Sequence, residues 1–274
     1  SGFYGPYYYP GVGVRIRADV SGYGANAPAA VVDMTGKNNS IRNNIIAHNE
    51  DMGLEIETYA YDTNDMATVD VELVNNTIFG SYYGVFNDNG YSNIGAVSTT
   101  SAVINNDIIW GVNNPFGGDT PATVTVTYSD IEGAVAPGEG NISSDPLFEN
   151  VPEFSEFAWV ADVDTLFVSG TYIVGDVIEI NQDGVARTVT AIGPGTVDFT
   201  PALSAPPVSP VLAQNWGAGA TDLDEDFHLG DGSPCRNTGD PDIKDANDTR
   251  SDMGAYGGPD GKKVGTQTRP EPHM

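Results

Sequence analysis

The sequence has little cysteine, little positive charge and no long apolar run. Its single cysteine, Cys235, has no partner for an internal disulfide, and we expect a small packed residue there. No run of 18 or more apolar residues occurs, so we expect no membrane insertion. Eleven Lys and Arg against 38 Asp and Glu give a net charge of −27, which argues against binding to nucleic acid or anionic lipid. Cations or basic protein surfaces are the better partners.

A helical period is also missing from residues 1–150, where Gly, Asn and Asp interrupt every few positions. One short phrase recurs instead, with a pair of Asn between apolar residues. It reads Ile41-Arg42-Asn43-Asn44-Ile45-Ile46, then Leu73-Val74-Asn75-Asn76-Thr77-Ile78, then Val103-Ile104-Asn105-Asn106-Asp107-Ile108. The second Asn recurs after 32 and then 30 residues. A period of this size is typical of a solenoid whose turns stack equivalent positions.

The recurring amides predict a ladder of hydrogen bonds from turn to turn. We expect Asn44, Asn76 and Asn106 to stack and bond to one another, because stacked coils place equivalent amides next to each other. Asn also tolerates the left-handed backbone of a tight corner. The same alignment predicts that Ile46, Ile78 and Ile108 form one interior column, while Ile45, Thr77 and Asp107 face outward. The alternating segment Thr68–Leu73 favours strands between the corners.

These corners resemble those of the secreted prokaryotic right-handed parallel β-helix repeat proteins of the pectate-lyase-like solenoid superfamily. The segments 126–133, 140–148 and 227–256 add to the resemblance. It implies an all-β chain with a right-handed parallel β-helix and an extracellular or cell-surface location. Such families include lyases, hydrolases, adhesins and fibre proteins, so the resemblance names no single activity.

Short β runs between residues 166 and 199, with a hairpin signal at Asp183-Gly184, predict an inserted antiparallel barrel or sandwich. We expect a β-helix with a Tyr- and Gly-rich arm over residues 1–150, followed by the inserted β domain over 151–216. Residues 217–256 should form the last part of the β-helix or its cap, and 257–274 a basic extended tail.

Candidate catalytic groups do not form a recognisable motif. Outward carboxylates are expected at Glu55, Glu57, Asp70 and Glu72, and the nearby cations are Arg15, Arg17 and Arg42. A lyase on this fold needs an Arg or Lys base beside carboxylates that hold calcium, and nothing in the sequence pairs the two. His48 is isolated. We therefore predict no catalytic residues.

The best predicted cation site is an acidic loop near the end of the chain. Its carboxylates are Asp240, Asp242, Asp245, Asp248 and Asp252, which offer the hard oxygen ligands that Ca²⁺ prefers. No EF-hand spacing is present, so calcium is the expected cofactor on composition alone.

Both ends of the sequence suggest contact with other molecules. We expect self-association through Tyr4, Tyr7, Tyr8, Tyr9, Lys262, Lys263 and Arg269, since a basic tail is attracted to an acidic neighbour. The start, Ser1-Gly2-Phe3-Tyr4, lacks the basic and apolar parts of a signal peptide, so we expect either a cytosolic chain or a processed mature form. The β-helix resemblance, the acidity and the low Lys content favour the processed, exported form.

The leading hypothesis is a non-enzymatic extracellular protein that binds copies of itself head to tail in a filament or surface coat. The alternative is a polysaccharide-binding protein or a calcium-dependent polysaccharide lyase, with polysaccharide as the partner. A third hypothesis is one domain of a larger surface protein.

Overall fold

The computed structural model describes residues 12–20, 33–60, 66–92, 97–118, 122–133 and 135–261. These residues form an all-β structure without an α-helix. No helix in this part of the chain has the length and hydropathy that a membrane crossing requires. Contacts divide the described chain into two units. Unit 1 contains the residues up to Pro146 and those from Pro234 onward, and unit 2 is Leu147–Ser233.

Unit 1 is built from three parallel sheets of four strands each. The first sheet contains β1 (Val12–Val20), β4 (Met52–Ala60), β7 (Tyr83–Ser92) and β10 (Asn114–Gly118). The second contains β2 (Asp33–Arg42), β5 (Met66–Val74), β8 (Val97–Asn105) and β11 (Ala122–Thr127). The third contains β3 (Ile45–Ala47), β6 (Thr77–Phe79), β9 (Ile108–Trp110) and β12 (Asp130–Ile131).

Consecutive strands enter the three sheets in rotation, so the chain winds in coils. Each strand pairs in parallel with the strand one coil later; β4, for example, pairs with β7 from Met52↔Tyr83 onward. This arrangement confirms the prediction of stacked parallel strands and is compatible with a parallel β-helix.

The core of unit 1 includes three apolar columns, one from each sheet. The columns are Val14, Leu54, Val85 and Phe116; Ile41, Leu73, Ile104 and Val126; and Ile46, Ile78, Ile109 and Ile131. Every fully buried Leu or Ile contributes about 1.5–3 kcal/mol by leaving water. Stacking equivalent positions therefore gives each coil its core only when the neighbouring coils are present.

The strand register corrects the predicted alignment of the third repeat by one residue. Thr77 lies beside Ile108 and Ile78 beside Ile109, so Ile109 rather than Ile108 continues the interior column. Thr77 was predicted to face outward, and a later part of the chain shields it from solvent. Its side chain is 1% exposed, and its hydroxyl accepts a hydrogen bond from the backbone N–H of Ala255 at 3.0 Å.

Unit 2 is a closed antiparallel barrel with a short two-stranded sheet. That sheet pairs β13 (Phe148–Asn150) with β20 (Asp226–Leu229). The barrel strands, in chain order, are β14 (Phe154–Asp162), β15 (Thr165–Phe167), β16 (Asp176–Ile180), β17 (Arg187–Gly193), β18 (Thr196–Thr200) and β19 (Val211–Ala218). Its own core includes Leu166, Ile178, Val197 and Phe199.

The antiparallel inserted domain predicted from sequence is present, with the Asp183-Gly184 hairpin between β16 and β17. Two strands were missed, β14 and β19, and the predicted run Tyr172–Val174 lies in a loop. Unit 2 extends beyond the expected 151–216 at both ends.

Candidate functional site

Three carboxylates from two coils meet on the first sheet of unit 1. Strand pairing sets Arg15 beside Glu55, and Glu57 beside Asp88. Carboxylate oxygens of Glu55, Glu57 and Asp88 lie within 4.8 Å of one another. This group offers the oxygen ligands that a hard divalent cation takes. Sequence reasoning included Glu55 and Glu57 but missed Asp88, which the 31-residue spacing from Glu57 would have indicated.

Burial and a nearby cation set the electrostatics of this group. Glu55 and Glu57 are 1% and 2% exposed. Arg15 forms an ion pair with Glu55, and its Nε lies 3.9 Å from the Glu57 carboxylate. Burial raises the pKa of Glu55, and the contact with Arg15 opposes that rise. The Arg15 guanidinium therefore already offsets part of the negative charge of this group, whose two glutamates are almost fully buried.

The other predicted outward carboxylates lie apart from this group, on β5. Asp70 accepts a hydrogen bond from Ser101 at 2.5 Å, and Glu72 pairs with Arg42 at 2.5 Å in an exposed position. His48 occupies a left-handed corner (φ 54°) with its ring edge-on to Phe79.

The predicted calcium loop is held mainly by bonds between its carboxylates and backbone N–H groups. Asp240 accepts from Asn105 Nδ2 and from its own loop at Asp242 N, both at 2.9 Å. Asp245 accepts from Gly258 N at 2.7 Å, and Asp252 from Asn237 N at 2.6 Å. Among the described residues, no three of the five loop carboxylates reach the mutual distance found at Glu55, Glu57 and Asp88.

The amide ladder exists, but its third member is Asp107. Asn44 donates to Asn76 Oδ1 at 3.2 Å, and Asn76 donates to Asp107 Oδ1 at 2.8 Å. Asp107 N then donates to Ser129 Oγ at 3.1 Å, and Ser129 N donates to Asn141 Oδ1 at 3.0 Å. Asn106, predicted as the third member, instead occupies the left-handed corner.

The residues at that corner hold the C-terminal segment, defined here as residues 234–261. Asn43, Asn75 and Asn106 have φ values of 53°, 56° and 62°. Asn43 Nδ2 donates to the carbonyls of Ala255 and Gly257, and Asn75 Nδ2 to that of Asp252. Asn106 accepts from Asp240 N.

The C-terminal segment therefore follows the corner from the fourth coil back toward the first. At the fourth coil, Cys235 is buried and its Sγ donates to Asp130 at 2.9 Å. Gly254 packs so closely on Thr77 and Ile108 that a Cβ there would lie 2.8–2.9 Å from their side-chain atoms, and its φ of 87° favours glycine.

The first coil ends in an open depression of about 650 Å³. Its lining is mostly apolar and comes from β1, β2 and the third sheet: Val14, Ser40, Ile41, Arg42, Asn44, Ile45 and Ile46. Within the described residues, β1, β2 and β3 each pair on one side only, with β4, β5 and β6. The opposite end differs, because Asn141 and Ile142 extend the stack beyond β12.

The residues predicted to mediate self-association lie outside the described residues. These are Tyr4, Tyr7, Tyr8, Tyr9, Lys262, Lys263 and Arg269.

Comparison of the chain with protein-family models, with curated proteins and with solved structures finds no match.

Proposed function

We propose that this chain is a non-enzymatic, extracellular structural protein that associates with copies of itself. The observation that carries the proposal is the open first coil, where, in the part of the chain that the structure describes, three strands have a partner on one side only. An unpaired strand edge exposes backbone N–H and C=O groups that recruit another chain. The apolar side chains of Val14, Ile41 and Ile45 at the same end add a surface that gains from burial.

The contact is head to tail because the two ends of the stack differ. One end is open, whereas the other continues into the coil at Asn141. Joining unlike ends leaves a free end on every new copy, and such contacts generate filaments unless they close into a ring. The Tyr-rich residues 1–11 directly precede β1 in the sequence. A net charge of −27 and a single buried cysteine suit an exported coat protein.

We also propose that unit 1 is a right-handed parallel β-helix related to the pectate-lyase-like superfamily. Rotation through three sheets and the amide ladder support this assignment. Parallel strands joined by a crossover favour right-handed winding strongly. An experimental structure with left-handed winding would contradict it.

The self-association proposal is tested by charge placed at the open end. Ser40→Lys with Asn44→Lys adds two cations at exposed positions beside the depression, and edge lysines oppose strand pairing. We expect the native chain to form filaments by light scattering and electron microscopy, and the variant to lose the association that depends on the open end and so to form smaller species.

The matched control is Val103→Lys with Thr125→Lys, which adds the same charge at exposed positions of later coils. The control should assemble like the native chain. A native chain that stays monomeric at high concentration would overturn the proposal.

One observation favours a calcium-dependent polysaccharide lyase as the second candidate. Arg15 lies beside Glu55, Glu57 and Asp88, the combination of a basic residue and carboxylates that such a lyase uses. The near-complete burial of Glu55 and Glu57 argues against access for a polymer. Release of unsaturated sugar from an acidic polysaccharide with calcium, lost in Arg15→Ala, would favour this candidate over the first.

A further inference from the structure

The outer face of the barrel in unit 2 exposes two aromatic side chains next to each other. Trp159 on β14 and Phe167 on β15 are direct cross-strand partners, and they are 61% and 55% exposed. Directly opposed residues in an antiparallel pair lie on the same face with Cβ atoms about 5 Å apart. Large apolar side chains grouped on a surface mark a contact site more often than single ones do.

An acidic row lies beside this aromatic pair on the same face. Strand pairing aligns Asp162, Thr165 and Asp198 across β14, β15 and β18. Thr165 and Phe167 are two residues apart on one strand, so both rows share a face. Thr165 Oγ1 lies 2.8 Å from Asp198 Oδ1 and 3.3 Å from Asp164 Oδ1, so two carboxylates lie close to one hydroxyl, and strand pairing sets Asp162 beside the same Thr165.

This face, made of Trp159, Phe167, Asp162, Asp164 and Asp198, suits a cationic ligand with an apolar component. Residues 147–233 contain fourteen Asp and Glu but one Arg and no Lys. That cation, Arg187, is buried and bound to Asp183 at 2.6 Å. An ammonium or guanidinium group gains from the face of an aromatic ring as well as from the carboxylates.

The chain itself contains a segment of matching chemistry. Residues 262–274 carry Lys262, Lys263 and Arg269 against one acid, Glu271, with Val264 and two prolines for apolar contact. We propose that residues 262–274 of a second copy bind this face of the barrel. The inference rests on the proposed self-association and names a second contact for it, distinct from the open first coil.

The first test uses protein lacking residues 262–274 and a synthetic peptide of those thirteen residues. Binding to every variant is followed by calorimetry, and binding to proteins that keep Trp159 is followed by tryptophan fluorescence as well. We expect Trp159→Ala with Phe167→Ala to weaken binding about tenfold, or about 1.4 kcal/mol, because the double variant removes both rings that a cation can contact. Asp162→Asn with Asp164→Asn should weaken it at low salt and reduce its salt dependence.

Two controls separate this face from general stickiness. Ile173→Ala with Val174→Ala removes exposed apolar groups elsewhere in unit 2, at 58% and 61% exposure, and should leave binding unchanged. A peptide with Gln at the three cationic positions should not bind. Equal binding to the native face and to Trp159→Ala with Phe167→Ala would overturn the proposal.

A complementation experiment tests whether the segment comes from a second copy. Protein lacking residues 262–274 keeps the face, and full-length Trp159→Ala with Phe167→Ala keeps the segment. We expect these two to form a complex when mixed, also when both carry Ser40→Lys and Asn44→Lys. A failure to associate while the peptide binds would limit the contact to one copy and overturn this inference. The open-end proposal would still be decided by its own lysine variants.

Discussion

Asp107 is a carboxylate in a ladder whose first two members are Asn, and this makes the ladder sensitive to pH. It is fully buried and accepts from Asn76 N at 2.6 Å, Asn76 Nδ2 at 2.8 Å and Asn105 N at 3.2 Å. Burial raises its pKa to about 7, against the effect of these hydrogen bonds. Since the pKa is higher in the folded than in the unfolded chain, the stabilising contribution is complete below about pH 4 and is lost as the pH rises through about 7.

We expect Asp107→Asn to flatten the pH dependence of the free energy of unfolding between pH 5 and 8. Asn suits this ladder, and its Nδ2 can donate to the carbonyl two residues earlier, as Asn44 does to Arg42 at 2.8 Å. One pKa unit corresponds to about 1.4 kcal/mol, so the native chain should lose a measurable part of its stability over this range. Urea unfolding at several pH values measures it.

Asp242→Asn is the control, because Asp242 is an exposed carboxylate. It should leave the pH dependence unchanged. Parallel pH profiles for the native chain and Asp107→Asn would contradict the assignment of this sensitivity to Asp107.

At the residue scale, the sequence predicts the type of interaction better than the member that makes it. Three polar residues in a row, Asn105, Asn106 and Asp107, leave the register of the third repeat open by one position. The structure settles it through the core, because only this register brings Ile109 over Ile78. Asp88 was missed for a related reason, since its approach to Glu57 depends on strand pairing across coils.

The C-terminal segment stabilises the parallel coils through side chains at their corners. Asn75 is 2% exposed and donates to Asp252 O at 3.0 Å and to Ser251 Oγ at 3.3 Å. We expect Asn75→Gly to destabilise the protein by about 1–3 kcal/mol, because glycine keeps the left-handed backbone but removes the buried Nδ2 donor that bonds Asp252 O and Ser251 Oγ. Thermal unfolding and hydrogen exchange of residues 251–257 measure the effect.

Asn237→Gly provides the matched control, with the same residue types, a φ of 54° and an exposed side chain. It should change stability little. If both variants unfold alike, the corner amides do not hold the C-terminal segment.

At the element scale, strands could be predicted where apolar residues alternate along a segment and turns that contain Gly flank it. Strand β14, Phe154–Asp162, was missed because Glu156, Ala158 and Trp159 do not alternate cleanly and a bulge follows Val160. Strand β19, Val211–Ala218, is buried along nearly its whole length, so polar Gln214 and Asn215 mask the usual apolar pattern. The sequence of residues 234–261 shows no period, so the path of this segment along the corner could not be predicted.

The described residues form two large hydrophobic cores, one in each unit, with no residue in common. We therefore expect residues 147–233, expressed alone, to fold and to unfold cooperatively, because a closed barrel leaves no edge and Leu166, Ile178 and Phe199 fill its interior. Near-ultraviolet circular dichroism and a dispersed amide spectrum measure this.

Leu166→Asp in the same fragment should abolish the cooperative transition, since it buries a charge in the barrel core. A fragment that lacks fixed tertiary structure would mean that the barrel depends on unit 1. The predicted all-β composition is confirmed at this scale, whereas the domain limits, the extracellular location and the assembly stay predictions.

Asn43 Nδ2 donates a hydrogen bond to the carbonyl of Gly257, a residue 214 positions later in the chain. A ribosome that adds about 5–20 residues per second needs on the order of ten to forty seconds to make the chain between them. Throughout that interval the corner amide of the first coil, Asn43, is hydrogen-bonded to water rather than to the C-terminal segment. The first coil can therefore complete its contacts only after the C-terminal segment has been synthesised. A truncated product leaves the first coil without these contacts.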